Sequence, residues 1–235
     1  MTATEILEEL KSLGNGSTKR VLMNHGAREP FFGVKVEDLK KIQKRIKVDH
    51  QLALDLYETG NSDAMYLAGL IADDAKMTKK DLQRWVDGAY WHMLSEYTVP
   101  WVATGSAHGW DLARKWIGSK KEQVATAGWA TLGYIAMSRP DEALDLSVLE
   151  TLIEQVETTI HDQPNRVRYT MNGFLIAVGS CVVPLADRAL AAAEQIGKVT
   201  VDMGTTSCKV PAAPEYIRKV REKRGVGKKR KIVKC

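Results

Sequence analysis

Apolar residues return along most of this chain at steps of three and four, the spacing that gathers them on one face of an α-helix. Between Lys35 and Val48, for example, Val36, Leu39, Ile42 and Ile46 form such a face, and Lys40, Lys41, Lys44, Arg45 and Lys47 fall outside it. Glu37 and Asp38 open that segment and cations close it, the order a helix dipole favours. The same pattern predicts helices over 2–13, 49–59, 62–73, 79–103 with a break, 106–118, 120–137, 147–160, 165–180, 184–197 and 211–223. Strand-like alternation is nearly absent. The breaks carry turn chemistry at Gly14-Asn15-Gly16, Gly60-Asn61, Pro100, Arg139-Pro140, Gln163-Pro164 and Val183-Pro184. Short polar loops between such helices imply antiparallel neighbours and an all-α fold.

A faint repeat adds to this picture. Ala68-Gly69-Leu70, Ala127-Gly128-Trp129 and Asn172-Gly173-Phe174 each put glycine inside a predicted helix, at spacings of 59 and 45 residues. Glycine there costs about 1 kcal/mol relative to alanine, so its return suggests helices approaching closely. The spacing is of the order of helical-hairpin repeats. A helical solenoid and an irregular bundle both satisfy it.

Charge is unevenly placed. The chain of 235 residues carries a formal net charge of +5, yet Arg218 to Cys235 alone holds ten Lys or Arg against one Glu, leaving −4 for residues 1–217. Residues 1–217 therefore read as one mildly acidic helical domain, and 218–235 as a basic tail. The cations of Lys35–Lys47 form a second, partly offset source of attraction for a polyanion. With 44% hydrophobic residues a substantial core is expected. No apolar run of about 18 residues marks a membrane span, and Glu5, Glu8 and Glu9 stand where a signal peptide carries positive charge. A cytoplasmic, nucleoid-associated protein without a membrane role is expected. Cys181, Cys208 and Cys235 are too scattered for a disulfide framework or a metal site.

Candidate chemistry concentrates between Asp87 and Trp101, where Tyr90, Trp91, His92, Glu96, Tyr97 and Trp101 crowd together. They are either a pocket in which aromatic faces and a carboxylate meet a nucleotide, or an aromatic core. Arg166 and Arg168 follow Asn165, which can cap a new helix, so the pair is either a phosphate site at a helix start or a solvated first turn. The run Arg221–Lys231 reads as a polyanion-binding arm or as a solubilising tail. No GxxxxGK[ST] or GxGxxG loop, no GxSxG elbow and no histidine pair at zinc-ligand spacing occurs, so neither a metal nor a cofactor is expected.

At Phe31-Phe-Gly-Val-Lys-Val-Glu-Asp-Leu-Lys-Lys-Ile42 the sequence resembles the opening signature of the DNA alkylation repair (AlkD-like) family, and the similarity extends through Val201-Asp-Met-Gly and Cys208-Lys-Val-Pro to Gly227-Lys-Lys-Arg-Lys. The resemblance implies a HEAT-like helical-hairpin solenoid, an α-α superhelix whose concave face holds duplex DNA, and hydrolysis of the N-glycosidic bond of N3- or N7-alkylated purines without base flipping. It also implies a catalytic Trp-Asp-x-Val-Asp motif. That motif matches Trp91-His92-Met93-Leu94-Ser95, which keeps the tryptophan and puts Ser95 where the aspartate is expected. A neutral hydroxyl cannot supply the same charge stabilisation, and Glu96 next to it is turned about 100° around a helix. Thr126 and Ala177 stand where the resemblance implies arginines, and Phe174 is retained as an aromatic residue.

The candidate catalytic residues are thus Trp91, Ser95 and Glu96. Candidate DNA contacts are Lys35, Lys40, Lys41, Lys44, Arg45, Tyr97, Trp101, Arg166, Arg168, Phe174, Arg218, Lys219, Arg221, Lys228, Lys229, Arg230 and Lys231. The partner expected is duplex DNA, damaged or branched, bound by a monomer. Three functions stay open: an alkylpurine glycosylase, a non-catalytic module for DNA or branched nucleic acid, and a protein-interaction scaffold.

Overall fold

The computed structural model describes residues 1–234, and among them there are helices and turns but no strands. The α-helices are α1 Ala3–Leu13, α2 Gly16–Asn24, α3 Val36–Ile46, α4 His50–Glu58, α5 Ser62–Ile71, α6 Lys79–Gly88, α7 Val99–Gly105, α8 Gly109–Trp116, α9 Glu122–Ser138, α10 Leu146–Thr159, α11 Asn165–Cys181, α12 Ala186–Ile196 and α13 Ala213–Arg224. Side-chain caps start several of them. Thr2 with Glu5, and Thr78 with Asp81, close reciprocal capping boxes on α1 and α6. Asn15, Asp49, Asn61 and Asp145 accept from first-turn amides of α2, α4, α5 and α10.

α2 is the helix that periodicity does not reveal. It buries none of its residues, and Val21 and Met23 are exposed, so no apolar stripe marks it. Its start rests on Asn15, inside what reads as a turn. Pro100 also differs from expectation, because the chain stays helical through it and breaks earlier, before Leu94. Leu94–Thr98 is wound as a π-helix, in which the amide of Val99 bonds back to Leu94 O. Pro100 then falls in the first turn of the following α-helical stretch, a position that accepts the fixed φ of proline.

By contacts the chain divides into two units. The first comprises Met1–Gly109, Met203–Ser207 and Lys234, and the second Trp110–Asp202 with Cys208–Val233. In the first, α5 is the central helix, with all ten of its residues buried against α1, α3, α4 and α7. In the second, α11 holds that place, packed by α9, α10, α12 and α13. The helix-interior glycines divide in purpose. A Cβ at Gly69 would meet Thr98 Cγ2 at 2.7 Å, and one at Gly128 would meet Ile117 N at 2.8 Å, so both mark close crossings. A Cβ at Gly173 would meet nothing within 4 Å. The space beside that glycine is open.

The Phe31–Ile42 signature has a structural reason. Asp63, 4% exposed at the start of α5, accepts from the amides of Phe32, Gly33 and Val34 at 2.6, 3.0 and 3.3 Å. Burial pushes its carboxyl above the usual aspartate value, while the three amides and Lys19 pull it back. Gly33 has φ +79 and lies so near Lys19 that a Cβ there would come to 2.6 Å of the Lys19 Cβ. Asp63→Ala strands three amides, two of them on buried residues, and is expected to lower the unfolding free energy by about 3–5 kcal/mol, measured by urea denaturation.

The basic segment expected from Arg218 begins within α13, and the residues after that helix are held by specific bonds. Gly227 N–H donates to Ser180 O at 3.0 Å and Arg230 N–H to Met137 O at 2.7 Å. Lys229 Nζ reaches Ala136 O at 3.0 Å and Asp141 at 2.6 Å. Among the described residues no single helix is long and apolar enough to cross a membrane. α11 passes such a test only together with the segment Val183–Ile196, at a bend of 113°.

Candidate nucleic-acid interface

The aromatic segment of the first unit is pinned from both sides. Tyr90 donates through its hydroxyl to Gly60 O at 3.1 Å, and Arg28 donates to the carbonyl of Tyr90. Trp91 is 8% exposed, with Nε1 buried and without a partner, and its ring lies edge-on to His92 at 5.1 Å. Ser95 is 2% exposed, and its hydroxyl points back to Trp91 O at 3.5 Å. Glu96 is buried beside it. Trp101 is also interior, edge-on to Tyr66 at 5.4 Å and to Tyr97 at 5.9 Å. Tyr97, like Tyr90 and His92, is half-buried rather than buried. Trp91, Ser95, Glu96 and Trp101 are therefore interior, Trp91 just before the π-wound turn, Ser95 and Glu96 on it and Trp101 just after it.

The cations at the cap of α3 and along it are partly matched by carboxylates. Arg45 forks onto Glu9 through both terminal nitrogens, Lys41 meets Asp38 at 2.7 Å and Lys35 meets Glu37 at 3.7 Å. The pairing raises the already high pKa of Lys41 and of Arg45. Lys44 is exposed and Lys40 half-buried, and neither has a carboxylate partner among the described residues. Pairs of this exposed kind hold loosely, but they cancel part of the local field that would attract DNA.

In the second unit the start of α11 differs from its reading as a capped phosphate site. Pro164 occupies the cap position. Asn165 instead ties down the chain at Asp202, donating to its carbonyl at 2.8 Å and accepting from its amide at 2.7 Å. The amide of Arg166 already bonds an anion, Glu122 Oε1, at 2.7 Å, and its guanidinium stacks over Tyr169 at 4.5 Å. Arg168 contacts Asn165 Oδ1 at 3.4 Å. Phe174 is fully buried, edge-on to Trp129 at 5.3 Å, and has no surface to offer a duplex. Thr126 is likewise fully buried, with an unpartnered hydroxyl.

The C-terminal cations separate into two groups. Arg218 pairs with Glu194, Arg221 bonds Asp187 at 2.9 Å and Gly179 O at 2.8 Å, and Lys229 is committed to Asp141. Lys219, Lys223, Arg224, Lys228 and Arg230 have no carboxylate partner among the described residues, and all five border one cavity of about 260 Å³. Gly173, Ile176, Ala177 and Ser180 of α11 line its other side, at the i, i+3, i+4, i+7 spacing of a single helix face. Cys181 lies there too. Burial raises its thiol pKa, and the nearby Lys229, Arg230 and Arg224 cations oppose that shift. Lys231 is exposed outside this cavity.

Lys219, Lys228 and Arg230 were legible as DNA-contact candidates from charge. Lys223 and Arg224 stood within the same charge run, whereas Ser180 and Tyr216 carry no sequence signal and become site residues only through the packing of α11 against α13.

A profile of the DNA alkylation repair enzyme family matches residues 6–217. This chain belongs to the DNA alkylation repair enzyme family. Its relatives include the uncharacterized proteins Lin0241 of Listeria innocua and Lmo0209 of Listeria monocytogenes, each 34% identical over 229 residues, which is 95% of this chain and 99% of either relative. Among solved structures it is similar, at 40% identity, a TM-score of 0.91 and full coverage of both chains, to one described as a new family of proteins related to the HEAT-like repeat DNA glycosylases with affinity for branched DNA structures. The all-α HEAT-like architecture implied by the Phe31–Ile42 signature is thus the architecture of this alkylation repair family member.

Proposed function

We propose that the protein is a non-catalytic DNA-binding member of the alkylation repair family that prefers branched DNA. The observation that carries this reading is the set of five cations without carboxylate partners around one cavity in the second unit. Phosphates are the natural counter-charge for such a group, and each one neutralised releases counterions. The affinity for branched DNA attributed to the similar solved structure supports DNA over other polyanions. Fluorescence anisotropy with a labelled four-way junction and a linear duplex of equal length tests it. The junction is expected to bind more tightly, and its affinity to fall about 10³-fold or more between 50 and 200 mM salt if six or more phosphates are neutralised. Absence of binding at low salt would sink the reading.

The non-catalytic part rests on Ser95 and its surroundings. Developing positive charge on a sugar needs a negative group that faces it, and a missing electrostatic contact of this kind costs about 3–4 kcal/mol in other enzymes. Ser95 is neutral and buried, and its hydroxyl is directed at a backbone carbonyl. Incubation with duplexes carrying N7-methylguanine or N3-methyladenine is expected to release no free base even at high protein concentration, as read by chromatography. Release that vanishes in Glu96→Gln would instead assign base excision to Glu96.

A further inference from the structure

We propose that the cavity between α11, α13 and the segment Gly225–Arg230 holds a single unstacked nucleotide of a DNA strand, its phosphate among the cations and its base against Tyr216. The inference rests on the DNA-binding reading and specifies what that surface recognises. At about 260 Å³ the cavity approaches the lower end, about 300 Å³, of the usual range for small-molecule sites. It is roomier than a bare anion needs and far too small for a duplex.

Its walls are divided in the way a nucleotide is divided. Lys219, Lys223, Arg224, Lys228 and Arg230 supply positive charge with no carboxylate among the lining residues. Ser180, 3% exposed, is one of the lining residues, and its buried hydroxyl has no hydrogen-bond partner. An orphaned hydroxyl is costly in a protein interior, and a phosphate oxygen is a partner that removes the cost. Met137, Ile176, Ala177 and Val220 give the remaining wall an apolar character suited to a sugar and base edge. Tyr216, on the rim, is 47% exposed, a large aromatic ring left in water beside a basic cavity. Stacking on such a ring tolerates any base. The space beside position 173 is open, since a Cβ there would touch nothing within 4 Å.

The arrangement supplies a physical reason for preferring branched DNA. In an intact duplex every nucleotide is stacked and paired, and extracting one costs a few kcal/mol. At a branch point or a single-stranded arm that cost is already absent. A cavity that accepts one unstacked nucleotide therefore favours branched over linear DNA without reading sequence.

Two variants of the full-length protein test this while leaving all five cations in place. Gly173→Leu fills the cavity from a helix that gains propensity by the change, and Tyr216→Ala removes the stacking ring. With a labelled fork bearing a single-stranded arm and a blunt duplex as probes, both variants, confirmed folded by circular dichroism, are expected to lose about tenfold in fork affinity, the scale of one base stacked on an aromatic ring, with duplex affinity unchanged. An unchanged fork-to-duplex ratio overturns the proposal, as does an equal loss for both DNAs, which would make the cavity wall a plain phosphate-contact surface. If wild-type protein binds neither probe, the DNA reading fails on its own account and the cavity is judged with thymidine monophosphate alone. Shifts in the amide resonances of Ala177 and Ser180 that weaken with thymidine and vanish in Gly173→Leu then uphold the site, and no shift with the monophosphate ends it.

Discussion

Replacing Lys223, Arg224 and Lys228 together by glutamate is expected to weaken binding to a four-way junction by about 100-fold or more at 0.1 M salt, and to flatten the slope of log affinity against log salt by close to three. The reasoning is electrostatic. These three cations have no carboxylate to return to, so their field is fully available to phosphate, and each reversal adds repulsion where attraction was. Lys41 and Arg45 make the comparison. They already face Asp38 and Glu9, so a phosphate at either cation has to displace an existing ion pair before it gains a contact. The double variant Lys41→Glu with Arg45→Glu is expected to cost about tenfold or less in affinity. Equal losses from both sets, measured by anisotropy at several salt concentrations, would move the interface from the second unit towards α3.

The contrast between those two basic stretches explains how much of the interface can be read from the chain. Periodicity located α3 and α13 because each sets an apolar stripe against a charged face, and the charge run located the cations. Whether a cation is available for a ligand depends on which carboxylates the fold brings to it from far along the chain. Glu9 reaches Arg45 across 36 residues and Asp187 reaches Arg221 across 34, distances at which sequence spacing carries no information. The same holds for Asn165, whose residue type fits a helix cap but whose side chain bridges to Asp202. α2 escaped for a different reason, because a helix that buries nothing has no periodic signature.

The family signature was legible and proved to be architectural. Phe31 and Val34 go into the core, and the loop amides between them and α3 rest on Asp63. A resemblance carried by such residues speaks for the fold, since they shape the helix array whatever chemistry is placed on it. The resemblance places the reaction in the Trp91–Ser95 stretch, and there Ser95 stands where it implies an acidic group.

Phe174→Ala is expected to lower the unfolding free energy by about 3–5 kcal/mol and to leave the affinity of the folded protein for a junction within about twofold of wild type. Truncating a fully buried aromatic side chain loses its transfer free energy and leaves a cavity. At this position the walls have little freedom to collapse, because Gly133 of α9 already brings the two backbones together, its Cβ site lying 3.6 Å from the Phe174 Cα. The neighbouring residue decides the functional half of the expectation. Gly173 faces the basic cavity with Ile176, Ala177 and Ser180, whereas Phe174, one step on and about 100° around the helix, faces Trp129 of α9. Binding and stability are thus carried on two faces of α11. Urea denaturation and anisotropy, run on the same preparation well below the unfolding midpoint, separate them. A junction affinity reduced tenfold in a variant still folded would return Phe174 to the DNA-contact role for which its aromatic character made it a candidate.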